Sequence, residues 1–307
     1  MRTLNILVKR NIKLFFKDKG MFFTSLITPI ILLVLYSTFL KNVYYDSFQS
    51  ALPDGFSIPD KLINGFVGSQ IISSILAVSC VTVSFCSNML MVQDKANGNI
   101  KDLTTTPLKR SSLAMSYYFA TLISTLIVCI TATVFCLAYV AGTGWYMSAS
   151  DIICLLLDVV MLVMFGTALS SIINFFLNTQ GQMSAVGTIV SSGYGFICGA
   201  YMPISQFSDG LQKVISFLPG TYGTSLVRNH AMNGAFKEMS AQGFPDEIVE
   251  AIRDSVDCNL YFFNNKVQTE AMYLILTAAI IILVAVYIMM NIIKNRKAIQ
   301  PRCKRTI

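Results

Sequence analysis

The sequence predicts an all-α membrane protein with six transmembrane helices, an interfacial helix before the first crossing and external re-entrant helices before the last. Six apolar runs carry this prediction, because each reaches the ~20 residues that a helix needs to cross a ~30 Å hydrocarbon core. Backbone groups inside lipid must be satisfied within their own segment, so runs of this length should be helical. The runs are Met21–Leu40, Gly65–Val92, Ser116–Ala141, Ile152–Leu177, Gln182–Met202 and Glu270–Ile293.

Composition and charge agree with this class and set the orientation. Of 307 residues, 54% are hydrophobic and 13% charged, whereas soluble proteins carry about 25% charged residues. Sixteen of the 23 Lys and Arg residues fall in segments 2–19, 95–110 and 294–305, which share one side if both termini are cytosolic. We therefore predict a multi-pass plasma-membrane protein. Its basic excess serves topology and anionic lipid headgroups rather than nucleic acid.

Both ends of the chain are predicted to lie at the inner membrane surface. Residues 1–20 mix apolar and basic positions, and Lys9, Lys13 and Lys17 recur every four residues. This spacing predicts an interfacial helix with its basic side toward headgroups. The alternative is a flexible basic leader that acts only as a topology signal. Residues 294–307 form a basic cytosolic tail.

The longest external segment, 203–269, should have structure of its own. Apolar residues at helical spacing between 204 and 218 predict a helix that Pro219-Gly220 ends. At about a dozen residues it is too short to cross, so it should lie in the outer leaflet or dip in and return. A small polar module, 236–266, follows, with a helix starting near Pro245.

The sequence contains few residues or motifs typical of catalytic, nucleotide-binding or metal-binding sites. The chain has no G-x-x-x-x-G-K-[ST] motif, so we expect no ATP site and no enzyme activity of its own. His230 is the one histidine, with no metal or catalytic partners evident, and is expected at the surface. The eight cysteines have no metal spacing. Cys258 should be external and open to an impermeant maleimide, and Cys303 cytosolic.

The segment after the second run reads QDKANGNIKDLTTTPL, from Gln93 to Leu108. It resembles the cytosolic signature of ABC-2 type transporter permeases, the membrane subunits of ATP-binding cassette exporters. Asp94 stands where that family usually has Glu. Asn99 replaces a common Thr and Lys101 a common Glu, so charge contacts to a partner should differ here. The matching positions are Gly98, Ile100, Leu103, Thr105, Thr106, Pro107 and Leu108.

A second match precedes the last run. Gly199-Ala200-Tyr201-Met202-Pro203-Ile204, then Leu218-Pro219-Gly220-Thr221-Tyr222 and Arg228, are similar to the family's small-residue patch, proline and later Pro-x-x-Tyr and Arg. The order and spacing of both motifs extend the resemblance over the whole chain. It implies one ABC-2 transmembrane domain, 1–307, with a type V exporter-like fold.

The resemblance implies a mechanism and partners. Two permeases, identical or different, pair in the membrane, and each docks a cytosolic ATPase that binds the ATP and Mg; this chain binds no cofactor or metal. The loop 93–115 would be the coupling element, although an ordinary loop with a Pro turn would also fit 93–110. The coupling residues would be Asp94, Gly98, Ile100, Leu103, Pro107 and Leu108, and the external gate residues Pro203, Pro219, Tyr222 and Arg228.

Two features inside the runs have alternative interpretations. Ser191, Gly195 and Gly199 recur every four residues, a spacing that lets helix backbones approach closely. They form either a subunit interface beside the transport cavity or a packing face within the chain. Asp158 is the only acid well inside a run. We expect it at the outer interface; deeper in the helix, it could contact a cationic substrate or Arg228.

The function predicted is export of an amphiphile such as a drug, a peptide antibiotic or a lipid-like molecule. A separate ATPase chain is the bacterial arrangement in this family. An ion-coupled secondary transporter is the alternative, but it would need paired acids in the membrane, where only Asp158 qualifies. A membrane enzyme would need clustered His, Asp or Glu at one leaflet, which the sequence does not show.

Overall fold

In the computed structural model the described residues are 2–35, 38, 59–105, 108, 110–263 and 265–303. They form a helical protein with one short hairpin. The helices are α1 (Arg2–Lys17), α2 (Lys19–Leu35), α3 (Asp60–Ala96), α4 (Asn99–Thr105), α5 (Arg110–Thr143), α6 (Ala149–Phe176), α7 (Gln180–Ile197), α8 (Asp209–Ile215), α9 (Pro219–Ala241), α10 (Asp246–Ser255) and α11 (Thr269–Cys303). A 3₁₀ turn (Ile204–Gln206) precedes α8, and strands β1 (Tyr261–Phe262) and β2 (Asn265–Lys266) precede α11.

Four of the described helices are long and apolar enough to cross a membrane: α3, α5, α6 and the Thr269–Ile293 part of α11. The first and fifth apolar runs correspond to α2 and α7, of 17 and 18 residues. Part of the first run lies outside the described residues. An all-α membrane protein is thus confirmed, and the count of six crossings stays a prediction.

Helix α3 forms the centre of the fold. Nearly its whole membrane-length window is buried, because α2, α5, α6, α7 and α9 all pack against it. Its 37 residues extend over about 55 Å at ~1.5 Å per residue, so it is longer than a hydrocarbon core is thick. A central helix of this length can connect a site at one membrane surface with a site at the other.

Helices α3 and α6 are joined by buried polar contacts. The Asn88 amide donates to the hydroxyls of Ser170 and Ser171 at 3.1 and 3.0 Å. Side-chain hydrogen bonds of this kind hold apolar helices in register where hydrophobic burial gives no preference. The serine-rich composition of α3 therefore reflects a helix that faces protein on all sides.

The N-terminal residues form the predicted helix, so the flexible-leader alternative is wrong. Lys9, Lys13 and Lys17 lie exposed along α1, while Leu7 and Phe15 are buried and the helix packs against α5. Its apolar side is therefore partly occupied by protein, which fixes α1 to the rest of the fold.

The helix boundary predicted at Pro219-Gly220 is wrong. The short helix α8 already ends at Ile215, and Pro219 begins α9, a helix of 23 residues. Proline is favoured at the first helical position because its missing N–H would have no partner there. The predicted polar module 236–266 therefore begins inside α9 and continues through α10 and the hairpin.

Candidate functional site

The first candidate site is the segment that leaves α3. Asp94 and Lys95 lie in its last turn, and Gly98 then adopts a φ of 80°, a left-handed conformation that glycine enters without strain. This turn starts α4, the seven-residue helix that was predicted as a coupling element. Pro107 lies outside the described residues.

Asp94 connects four elements. It is 3% exposed and accepts hydrogen bonds from Arg10 of α1 at 3.0 Å, from the Tyr117 hydroxyl of α5 at 2.6 Å and from the Asn99 amide of α4 at 2.9 Å. Burial of Arg10 disfavours its charge, but the hydrogen bond and Coulombic attraction of Asp94 outweigh burial and raise the guanidinium pKa. Asp94 therefore links α4 to α1, α3 and α5 through direct side-chain contacts.

Lys95 makes the corresponding connection to α6. Its ammonium donates to the carbonyls of Asn174, Phe175 and Leu177 at 2.8, 2.8 and 3.0 Å. The last carbonyls of a helix have no intrahelical partners and carry partial negative charge, so they attract a cation. Asp94 and Lys95, adjacent in the last turn of α3, thus connect this end of the central helix to α4 and to the end of α6.

The apolar residues of the coupling segment pack inward. Ile100, Leu103 and Leu108 are partly buried against the main hydrophobic core. Among the α4 side chains that the structure describes, Lys101, Asp102 and Thr105 are exposed, so these form the outer face of the helix. The sequence resemblance named Lys101 and Thr105 but not Asp102, and it could not separate the positions that anchor the helix from those that face outward, since only tertiary packing distinguishes the two.

The second candidate site surrounds Arg228, 2% exposed on α9. One guanidinium nitrogen donates to the Val256 carbonyl at 2.8 Å and lies 3.3 Å from Asp257; the other donates to the Gly199 carbonyl at 3.0 Å and to Ser74 of α3 at 3.2 Å. Arg228 therefore holds together the central helix, the end of the fifth apolar run and the polar module.

Asp257 extends this centre to the 3₁₀ turn. It accepts the backbone N–H of Ile204 at 2.8 Å. Burial raises the pKa of Asp257, and the attraction of Arg228 opposes that rise.

The other predicted gate residues lie close by. Pro203 immediately precedes the 3₁₀ turn, and Pro219 is the first residue of α9. The Tyr222 hydroxyl donates to the Ser216 carbonyl at 2.6 Å, which links α9 to the segment that precedes it. The sequence thus identified one contiguous region and gave no sign of Asp257 as the partner of Arg228.

Asp158 and His230 contact each other. Asp158 is fully buried within the protein, and its depth in the membrane stays a prediction; His230, which was expected at the surface, keeps only 17% of its side chain exposed. The Asp158 carboxylate contacts His230 Nδ1 at 2.6 Å and accepts the Tyr273 hydroxyl of α11, while Arg228 pairs elsewhere. Burial of His230 lowers its pKa, but the hydrogen bond and charge of Asp158 outweigh burial, so the pKa lies above its usual value. No local sequence pattern could show this cluster, because His230 and Tyr273 lie 72 and 115 residues from Asp158 in the chain.

The small residues of the fifth run face their own chain. A side chain on Gly195 would lie 2.3 Å from the Tyr201 ring, and the Tyr201 hydroxyl donates to the Ser191 carbonyl at 3.3 Å. Gly199 is buried and holds Arg228 through its carbonyl. The intrachain packing face is the alternative that these contacts support.

A groove of about 730 Å³ opens beside this face. Apolar residues of α2, α3 and α7, such as Ile27 and Met89, line it together with hydroxyls such as Ser191 and Thr188. Apolar walls with a few polar groups are typical of sites for amphiphilic molecules.

Cys258, which was predicted to be external and open to maleimide, is buried in the fold. It is 1% exposed, and burial raises its pKa to about 12. Because the thiolate is the species that reacts with maleimides, labelling of Cys258 is not a usable topology test. Among the described residues, no group of three or more His, Cys, Asp or Glu is placed to hold a metal ion.

Comparison with known proteins agrees with this architecture. No curated protein sequence matches the chain. A family model described as "ABC-2 type transporter" matches residues 2–231, three-quarters of the chain, which include the Asp94 centre and Arg228 but not its partner Asp257. Members of this family are membrane components of ABC transporters, which normally pair and work with an ATP-binding subunit. The chain therefore belongs to the ABC-2 type transporter permease family.

Proposed function

We propose that this chain is the permease subunit of an ATP-driven exporter that moves an amphiphilic substrate, such as a drug, a peptide antibiotic or a lipid-like molecule, out of a bacterial cell. A separate ATPase, with its own ATP and Mg, supplies the energy, and a second permease completes the membrane domain. Both termini lie in the cytosol under this proposal, with α4 toward the ATPase and the α8–α10 region outside.

The observation that carries the proposal is the attachment of α4. Its N-terminal Asn99 bonds Asp94, and Asp94 bonds Arg10 and Tyr117, while Lys95 holds the end of α6. A helix with an exposed outer face and such connections can receive a push and pass it to several membrane helices. The groove near Ser191 supplies apolar walls for an amphiphile.

The test separates docking from coupling. We expect Asp102→Arg, on the exposed face of α4, to abolish co-purification of an ATPase while leaving the melting temperature unchanged. The matched control is Glu247→Arg, an exposed acid of α10, which should keep the ATPase bound. Purification in mild detergent with mass spectrometry of the bound proteins measures both.

Asp94→Asn should keep the ATPase bound but weaken the link between ATP hydrolysis and transport, because the amide cannot hold Arg10 by charge. Reconstituted permease and ATPase in proteoliposomes would show ATP turnover with reduced substrate export. Retention of full coupling by this variant, or retention of the ATPase by Asp102→Arg, would contradict the proposed role of α4.

The burial of Asp158 favours one second candidate, an ion-coupled transporter, because a buried carboxylate in a membrane helix is a common proton site. Substrate movement driven by a pH gradient without any ATPase, and lost in Asp158→Asn, would support that alternative. Export that requires ATP and its partner subunit would exclude it.

A further inference from the structure

Three phenylalanine rings cluster on the surface of the polar module. Phe217 follows α8, and Phe262 and Phe263 belong to the hairpin that precedes α11. Ring centroids lie 5.2 Å apart for Phe217 and Phe262, 5.9 Å for Phe217 and Phe263, and 4.9 Å for Phe262 and Phe263, all edge-to-face. Their exposed fractions are 62%, 37% and 53%.

The neighbouring helix extends this apolar surface. Leu211 and Val214 of α8 and Leu218 after it are also exposed, so they add aliphatic area beside the rings. Solitary exposed apolar residues are ordinary, but a contiguous exposed patch usually marks a surface that something covers. Edge-to-face packing holds the rings in place without hiding them from the surroundings.

The position of the hairpin indicates what covers the patch. Phe262 pairs in register with Asn265, and Asn265 lies four residues before Thr269, where the membrane-length helix α11 begins. With ~3.5 Å per extended residue and ~5 Å between strands, Phe262 is no further than roughly 20 Å from that helix start. The patch therefore lies close in the chain to a membrane-length helix with an exposed apolar face, on which Leu274 is 71% exposed.

We propose that Phe217, Phe262 and Phe263 form a membrane anchor that inserts into the headgroup and upper acyl region of the bilayer. Phenylalanine and leucine side chains on an element at the membrane surface bury in the headgroup and upper acyl boundary, because that removes apolar area from water. The charged residues of the hairpin agree with this placement. Lys266 pairs with Glu250 of α10, and both side chains are exposed, so under this proposal that side of the module faces water. The anchor would fix the module, and with it the Arg228 centre, at a constant depth.

The test uses tryptophan fluorescence, since the chain has one tryptophan, Trp145. In a Trp145→Phe background, Phe262→Trp and Phe263→Trp report on the patch. Leu274→Trp is the lipid-facing control, and Glu247→Trp, at an exposed acid of α10, is the water-facing control. Each variant is reconstituted in nanodiscs of phosphatidylcholine brominated near the headgroup or near the methyl end of the acyl chain.

If the patch is a membrane anchor, lipid bromine should quench the tryptophan fluorescence of both Phe262→Trp and Phe263→Trp, more strongly when the bromine is near the headgroup. Aqueous iodide should quench both less than it quenches Glu247→Trp. Quenching by iodide alone would place the patch in water and overturn the proposal. Protection from both quenchers would also overturn it, in favour of a covering protein such as a second copy. If Leu274→Trp is not quenched by lipid, the membrane placement of α11 fails, and the anchor fails with it.

Discussion

Replacement of Arg228 by methionine should be the most destabilising single change in the gate region. The variant leaves the Val256 and Gly199 carbonyls without their donors and Asp257 without its counter-charge. Both side chains of this pair are nearly inaccessible, 3% and 6% exposed, so water cannot replace the lost contacts. Breaking a buried ion pair from one side costs about 3–5 kcal/mol, and we expect that loss in the free energy of unfolding.

Asp257→Asn is the complementary change. The amide oxygen can still accept the Ile204 N–H, and Arg228 keeps its two carbonyl partners, so the cost should be smaller, about 2 kcal/mol. In the double variant neither charge is left alone. We therefore expect the two effects to be non-additive by about 1–3 kcal/mol, the range for contacting residues.

The assay is equilibrium unfolding of the purified permease in mixed micelles, with the circular dichroism of the helices as the signal. Arg253→Met is the matched control: that guanidinium stacks on the Phe236 ring at 4.4 Å, a contact that contributes about 0.5–1 kcal/mol at exposed sites. A cost of Arg228→Met no larger than that of the control, or strict additivity with Asp257→Asn, would refute the assigned role of this centre.

Three further predictions concern other sites. Because the pKa of His230 is raised in the fold, its stabilising contribution is complete below pH ~6.5 and is lost as pH rises through the higher folded pKa. His230→Gln should therefore reduce the dependence of the melting temperature on pH in this window. An unchanged dependence would contradict this role of His230. Gly195→Ala would force a methyl group against the Tyr201 ring and should cost about 1–3 kcal/mol, measured by unfolding, with rescue by Tyr201→Ala; absence of rescue would exclude that clash. Impermeant maleimide on whole cells should leave buried Cys258 unlabelled but label Glu247→Cys. Labelling of Cys258 would contradict its burial, and failure to label Glu247→Cys would contradict the external position of α10.

The contrast between α4 and the Asp158 site shows how far sequence reasoning reaches. The short helix α4 was predicted as a distinct segment because its residues are adjacent in the chain and carry a local motif. The Asp158, His230 and Tyr273 cluster was missed because these residues lie on three different helices. A single titratable residue in a helical run has the same local signal whether its partner is water or another side chain.

The sequence by itself determined the helical membrane class and the permease family, since hydrophobic length and local motifs are properties of contiguous residues; the coupling and gate roles of its motifs stay predictions. Tertiary structure alone decided that Pro219 begins a helix rather than ending one, that Asp94 joins Arg10, Tyr117 and Asn99, and that Cys258 is hidden. These outcomes depend on which helix faces which, because burial and pairing in a bundle arise between segments far apart in the chain.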